Sequence, residues 1–137
     1  MDTLRFVALG DSTTVGIGDP LHGGAWRGWA GILAEQLAGQ QQVTYANLAV
    51  TGATVMSVRE RQLGEAVRLR PHLASLIVGI NDAMRSTWDP GRVRDDVFAC
   101  VSALADAGAM VMTTRFHDHG EVFGLPRVLR RPLWRRI

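Results

Sequence analysis

The sequence predicts an α/β protein of the flavodoxin-like kind: a three-layer α/β/α arrangement around a parallel sheet that stops before its last strand. Three observations carry this. Short apolar runs alternate with stretches of helical periodicity three times and then close on a fourth apolar run. The third run, Leu73 to Val78, is apolar almost throughout, as expected of a strand covered on both faces. Gly, Pro, Asn and Asp cluster between the runs, where turns belong.

Leu4 to Leu9 reads as the first strand, running into a loop at Gly10-Asp11-Ser12-Thr13. Beyond a Gly/Pro-rich stretch, Trp29, Ile32, Leu33 and Leu37 share one helical face, and Gly39 stands where that helix would end. The first helix is therefore expected over 27–38. Val43 to Leu48 is the second strand. Ser57 followed by Glu60 has the spacing of a capping box, so a second helix is expected to begin there and to end near Pro71. The third strand follows. Asp89-Pro90 then supplies an N-cap and a first-turn proline, and Val93, Val97, Val101 and Leu104 mark the buried face of a helix that runs to Gly108. Ala109 to Thr114 is the fourth strand. Arg115 to Gly124 reads as a polar loop, and Leu125 to Ile137 as an arginine-rich amphipathic piece broken by Pro132. The chain, 1–137, is expected to form a single domain, with 115–137 as a loop and basic tail.

At 137 residues and 47% hydrophobic content the chain can bury a core of its own. No run reaches the roughly 18 to 20 apolar residues of a membrane-spanning helix, and Met1-Asp2-Thr3-Leu4-Arg5 does not have the layout of a signal peptide. A cytoplasmic location without a membrane span is the expectation. The lone cysteine, Cys100, excludes an internal disulfide and lies in an apolar-periodic stretch, where a buried inert thiol is expected. Residues 1–125 hold ten arginines against thirteen acidic residues, whereas 126–137 hold five arginines and no acid, so the basic character belongs to the tail. Without a nucleic-acid motif or interleaved aromatics, this charge does not imply a nucleic-acid partner. The four histidines, His22, His72, His117 and His119, have no paired ligand spacing, so no metal and no cofactor are expected.

In an open parallel sheet, functional groups gather beyond the carboxyl ends of the strands. Ser12 stands directly after the first strand, Asn47 and Gly52 after the second, and Gly79, Asn81 and Asp82 after the third. A serine so placed can attack a carbonyl carbon, provided donors face the oxygen that becomes negative. The backbone N–H groups of Ser12 and Gly52 and the side-chain amide of Asn81 could form that trio. Gly52 has no Cβ to block a ligand, and Asn81 donates while staying neutral.

On these residues the sequence resembles the SGNH/GDSL hydrolases. Ala8-Leu9-Gly10-Asp11-Ser12-Thr13 is similar to that family's first block, Asn47-Leu48-Ala49-Val50-Thr51-Gly52 to its second, and Gly79-Ile80-Asn81-Asp82 to its third, in the same order. The resemblance implies Ser12 as nucleophile, Ser12, Gly52 and Asn81 as the oxyanion hole, and small acyl or acetyl esters as substrates. Asp11 and Asp82 are expected to be structural, and Asn47 to brace the second loop.

The family's fourth block, an Asp-x-x-His near the C-terminus, is not found after the fourth strand, where the sequence offers instead His117-Asp118-His119. Either histidine could replace the base only by reaching the serine across the sheet. The sequence reading is therefore an impaired serine esterase, truncated before its histidine. The alternative is a non-catalytic binding or interaction remnant of the same fold, and a third reading has a separately encoded piece completing the fold. With a strand order of 2-1-3-4, the apolar fourth strand would form an open edge that favours self-association.

Overall fold

The computed structural model describes residues 3–115, 124 and 126–136. Four parallel strands, β1 (Leu4–Gly10), β2 (Val43–Asn47), β3 (Leu73–Ile77) and β4 (Met110–Met112), form one sheet in the order β2-β1-β3-β4. This is the α/β sheet and strand order expected from the sequence. Between the strands lie α1 (Ser12–Val15), α2 (Gly28–Ala38), α3 (Val55–Arg61), α4 (Leu63–Arg68), α5 (Ile80–Ala83) and α6 (Pro90–Asp106), and α7 (Arg127–Trp134) follows β4.

The three layers follow from the period of two along the strands. On β1, Phe6 and Ala8 face α2 and pack with Ala30 and Ala34. Val7 and Leu9 face the other way, into a larger cluster with Val55, Val58, Ala66, Leu76, Cys100 and Leu104. Small residues on α2 allow that helix to approach the sheet closely, while the opposite layer fills its space with Val and Leu from α3, α4 and α6. Fully burying one such side chain contributes about 1.5–3 kcal/mol. Phe6 adds a stacked contact with Tyr45 of β2, with ring centroids 5.2 Å apart.

α6 begins as its sequence predicts: Asp89 is extended and its side chain accepts from the Arg92 N–H at 3.1 Å, with Pro90 in the first turn. The second predicted helix needs correction. Its N-cap is Thr54, not Ser57. Thr54 Oγ1 accepts from the Ser57 N–H, and Ser57 Oγ accepts from the Thr54 N–H at 2.9 Å, so Ser57 plays the reciprocal part that the sequence reading gave to Glu60. The helix is also two helices, α3 and α4, that meet at Gln62.

Smaller differences lie at element ends. α2 starts one residue later than expected, β2 and β3 each stop one residue early, and β4 is confined to Met110–Met112. Ser12–Val15 and Ile80–Ala83, read as loops, each form a short helical turn. The basic tail is helical over Arg127–Trp134 with Pro132 inside the helix, where a break was expected. The expected loop 115–124 lies largely outside the described residues.

Candidate active site

The C-terminal ends of β1, β2 and β3 open into three loops, and hydrogen bonds tie these loops to one another. The first tie is made at the end of β1. Gly10 is in an extended, positive-φ conformation (+151°), and a Cβ there would lie 2.2 Å from the Ile77 carbonyl oxygen of β3, so only glycine fits the crossing. Asp11 follows, 1% exposed, and its Oδ1 accepts from the Thr13 N–H at 3.0 Å. It is the N-cap of α1, which puts Ser12 at the first position of that turn, partly exposed. The turn ends at Gly16 in the left-handed region.

The second loop is drawn onto the first. Leu48 N–H donates to Ala8 O at 2.8 Å and Val50 N–H to Gly10 O at 3.1 Å. Asn47 joins both loops: its Nδ2 donates to Thr14 O at 2.8 Å and its Oδ1 accepts from the Ala49 N–H at 3.1 Å. Two residues beyond Val50, Gly52 has φ +79°, its backbone is exposed, and nothing lies within 4 Å of the position a Cβ would take.

The third loop reaches the second from the other side. Asn81 Nδ2 donates to Ala53 O at 3.0 Å, which spends one hydrogen of the amide and leaves the other for a second acceptor. Both oxygens of Asp82 lie at the Val55 N–H, at 3.0 and 3.3 Å, so this carboxylate caps the start of α3. Burial pushes the Asp82 carboxyl above its ordinary value, against the lowering effect of the Val55 bond. Among the described residues neither the Ser12 nor the Gly52 backbone N–H donates a hydrogen bond.

The sequence-predicted residues thus fall on three linked loops at one end of the sheet. Ser12, Gly52 and Asn81 each keep donor capacity, while Asp11, Asn47 and Asp82 each bond backbone within or between these loops. His22 is exposed in the loop before α2, and His72 lies at the opposite end of the sheet beside Arg5, with its Nδ1 accepting from the Arg5 N–H at 3.1 Å. His117 and His119 lie outside the described residues. Cys100 is buried against Arg59 and Asp96, and burial pushes its thiol up to about 11, far from a reactive thiolate. Among the described residues no cluster of His, Cys, Asp or Glu could hold a metal, and no helix is long and apolar enough to cross a membrane.

Two participants escaped the sequence reading. Gln62, 3% exposed, places its side-chain amide against the Gly10 backbone. Its signal was present: Val55, Val58, Gln62 and Ala66 make one buried stripe in which a single polar residue stands out. Arg136 Nη1 donates to Ala83 O and Arg85 O at 3.2 and 3.1 Å, which fastens the end of the chain to the carbonyls at the close of α5. No local pattern announces that contact.

A four-stranded parallel sheet with helices between its strands, and with Ser12, Gly52 and Asn81 on the loops at one end, defines an α/β protein. The family profile described as "GDSL-like Lipase/Acylhydrolase family" matches residues 8–136. The chain belongs to that family. Among solved structures, an acetyl-xylooligosaccharide esterase, Axe2, of Geobacillus (W190I mutant) superposes with a TM-score of 0.75 at 17% identity, covering 97% of this chain and 68% of the other. AlinE4, an SGNH-hydrolase family esterase, gives 0.72 at 19% identity, covering 97% and 68%. The psychrotrophic esterase EstA from Pseudoalteromonas sp. gives 0.67 at 21% identity, covering 82% and 60%. At these identities the likeness is one of fold, the SGNH hydrolase fold, and the chain spans about 60–70% of the length of these structures. No curated protein matches the sequence significantly.

Proposed function

We propose that this chain is a serine ester hydrolase acting on small acyl or acetyl esters. In this reading Ser12 Oγ attacks the ester carbonyl carbon, the alcohol leaves, and water later releases the acyl group from Ser12. The Ser12 and Gly52 N–H groups and the free hydrogen of the Asn81 amide receive the carbonyl oxygen as it becomes negative. The observation that carries the reading is the Asn81 bond to Ala53 O, which holds the amide at the residue after Gly52 and leaves its second hydrogen without an acceptor among the described residues. Axe2, AlinE4 and EstA are each named as esterases, which supports the reaction class.

The one Asp-x-x-His in these 137 residues, Asp19-Pro20-Leu21-His22, precedes α2 and none follows β4, so turnover by this chain is expected to be low. Loss of the base in a dismantled serine protease triad costs on the order of 10⁶ in kcat, with residual catalysis from the oxyanion hole and binding. The test is hydrolysis of p-nitrophenyl acetate and butyrate by the chain and by Ser12→Ala. A rate clearly above that of the variant supports the reading and makes His117 and His119 the next positions to substitute. Equal rates overturn it for this chain.

The positions of His22 and His72 favour a second reading, a ligand-binding remnant that does not turn substrate over. His72 is at the far end of the sheet and His22 is exposed in the loop between α1 and α2. Stoichiometric labelling of Ser12 by a fluorophosphonate would eliminate this second reading, because the probe requires an activated serine.

A further inference from the structure

We propose that Gln62 is a positioning residue that sets the spacing between Ser12 and the Gly52 N–H; its catalytic consequence rests on the esterase reading above. The side chain emerges from the junction of α3 and α4 and lies 52 residues from Gly10 in sequence. Its Oε1 accepts from the Gly10 N–H at 3.0 Å and its Nε2 donates to Gly10 O at 2.9 Å, both bonds buried. A primary amide offers a donor and an acceptor side by side to a single peptide residue at any pH.

The reason for such a partner lies in the sheet. Even-numbered residues of β1 turn their N–H and C=O toward β2: Leu4 N–H donates to Gln42 O, and Ala8 O accepts from the Leu48 N–H. β2 ends at Asn47, opposite Ala8, so at Gly10 the paired strand has already turned away into its loop. On that side the Gly10 carbonyl keeps one backbone donor, Val50, while the Gly10 N–H has no backbone acceptor among the described residues. The Gln62 amide occupies the place of the missing strand residue. It satisfies a buried N–H that would otherwise be orphaned, and it holds the carbonyl on which Val50 also converges.

Gly10 is thus a junction. Two residues after it stands Ser12, and two residues after Val50 stands Gly52. Gln62 also lies in the wall of a cleft of about 370 Å³ formed by Val50, Thr51, Gly52 and Ala53, directly beneath the second loop. Packing alone does not call for an amide on the stripe of Val55, Val58 and Ala66, where an apolar residue would serve. Gln62 also departs from regular helix geometry, at φ −110° and ψ −39°, and both helices end on it. The helix is interrupted where its side chain reaches the end of β1.

The experiment compares Gln62→Met, which keeps the length and removes the amide, with Gln62→Glu, whose protonated carboxyl again offers a donor and an acceptor. Ser12-dependent kcat and KM are measured per folded molecule, and the backbone amide signals of Gly10, Ser12 and Gly52 are read by NMR. Gln62→Met is expected to lower kcat on the order of ten- to a hundredfold, as a slight misplacement of a reacting group does, with KM little changed. Gln62→Glu should regain rate relative to wild type as pH falls and its carboxyl protonates. The three amide signals should move in Gln62→Met while those of α2 stay in place. Unchanged kcat, or a Gln62→Glu to wild-type ratio flat with pH, overturns the proposal. If wild type has no Ser12-dependent rate, the esterase reading fails by itself and the amide signals decide. Displaced Ser12 and Gly52 signals uphold the positioning role, and unmoved ones end it. Should Gln62→Met not fold, Gln62→Glu carries both measurements.

Discussion

β1 and β4 are strands of the same sheet and both lead toward its functional end, yet they are held very differently. β1 is central, paired on both sides, and buried from Phe6 through Asp11. Its end is tied to β3 by the Gly10 approach, to the second loop by Val50, and to the α3/α4 junction by Gln62. β4 is three residues long, pairs with β3 alone among the described residues, and leaves Met110 74% exposed. Past it, Thr113 Oγ1 donates to Leu76 O at 2.8 Å, and Thr114 and Arg115 are already exposed. The serine therefore stands where the fold is most constrained. His117 and His119, outside the described residues, follow β4 in the sequence. The end of β1 that leads to Ser12 is held by contacts that converge on one glycine, Gly10.

The largest effect that would test this contrast is at Gly10. Gly10→Ala forces a Cβ to within 2.2 Å of Ile77 O at a φ that alanine rarely adopts, so a loss of about 3 kcal/mol or more is expected in urea unfolding. A variant as stable as wild type would show that the crossing of β1 and β3 is loose. Next in size, Leu76→Ala on β3 removes a side chain that is 2% exposed and should cost about 2–5 kcal/mol. Met110→Ala on β4 should stay within about 0.5 kcal/mol. Comparable losses at the two positions would erase the distinction between centre and edge.

The third loop lies between these extremes, and pH probes it. Because the folded Asp82 carboxyl titrates above its ordinary value, the folded state holds that proton more tightly than the unfolded chain. Its contribution to stability is therefore greatest below the unfolded value, declines as pH rises through the window up to the folded value, and is flat above it. Asp82→Asn should remove that decline while keeping an acceptor for the Val55 N–H. An unaltered pH profile in urea titrations would separate Asp82 from the effect. The smallest expected effect is on association. The β4 edge, unpaired among the described residues, predicts a weak, concentration-dependent self-association that Met110→Lys reduces, and sedimentation velocity finding only monomer at every concentration would refute it.

Local pattern determined much of this protein. Apolar runs and helical spacing placed all four strands in order. Asp89-Pro90 marked the start of α6, and three short blocks put Ser12, Gly52 and Asn81 on loops at the same end of the sheet. These features depend on neighbours within a few residues, and such neighbours are visible in a sequence. Tertiary structure decided the rest. The start of α3 at Thr54, three residues before the predicted cap, is joined by a contact from 27 residues further on, where Asp82 accepts from the Val55 N–H. Gln62 became the partner of Gly10 because β2 ends early and leaves a buried peptide to be matched. Arg136 found the carbonyls of Ala83 and Arg85 across more than fifty residues. The Gln62 bonds satisfy a peptide that only the assembled sheet removes from water, so that demand arises with the fold and no stretch of sequence announces it.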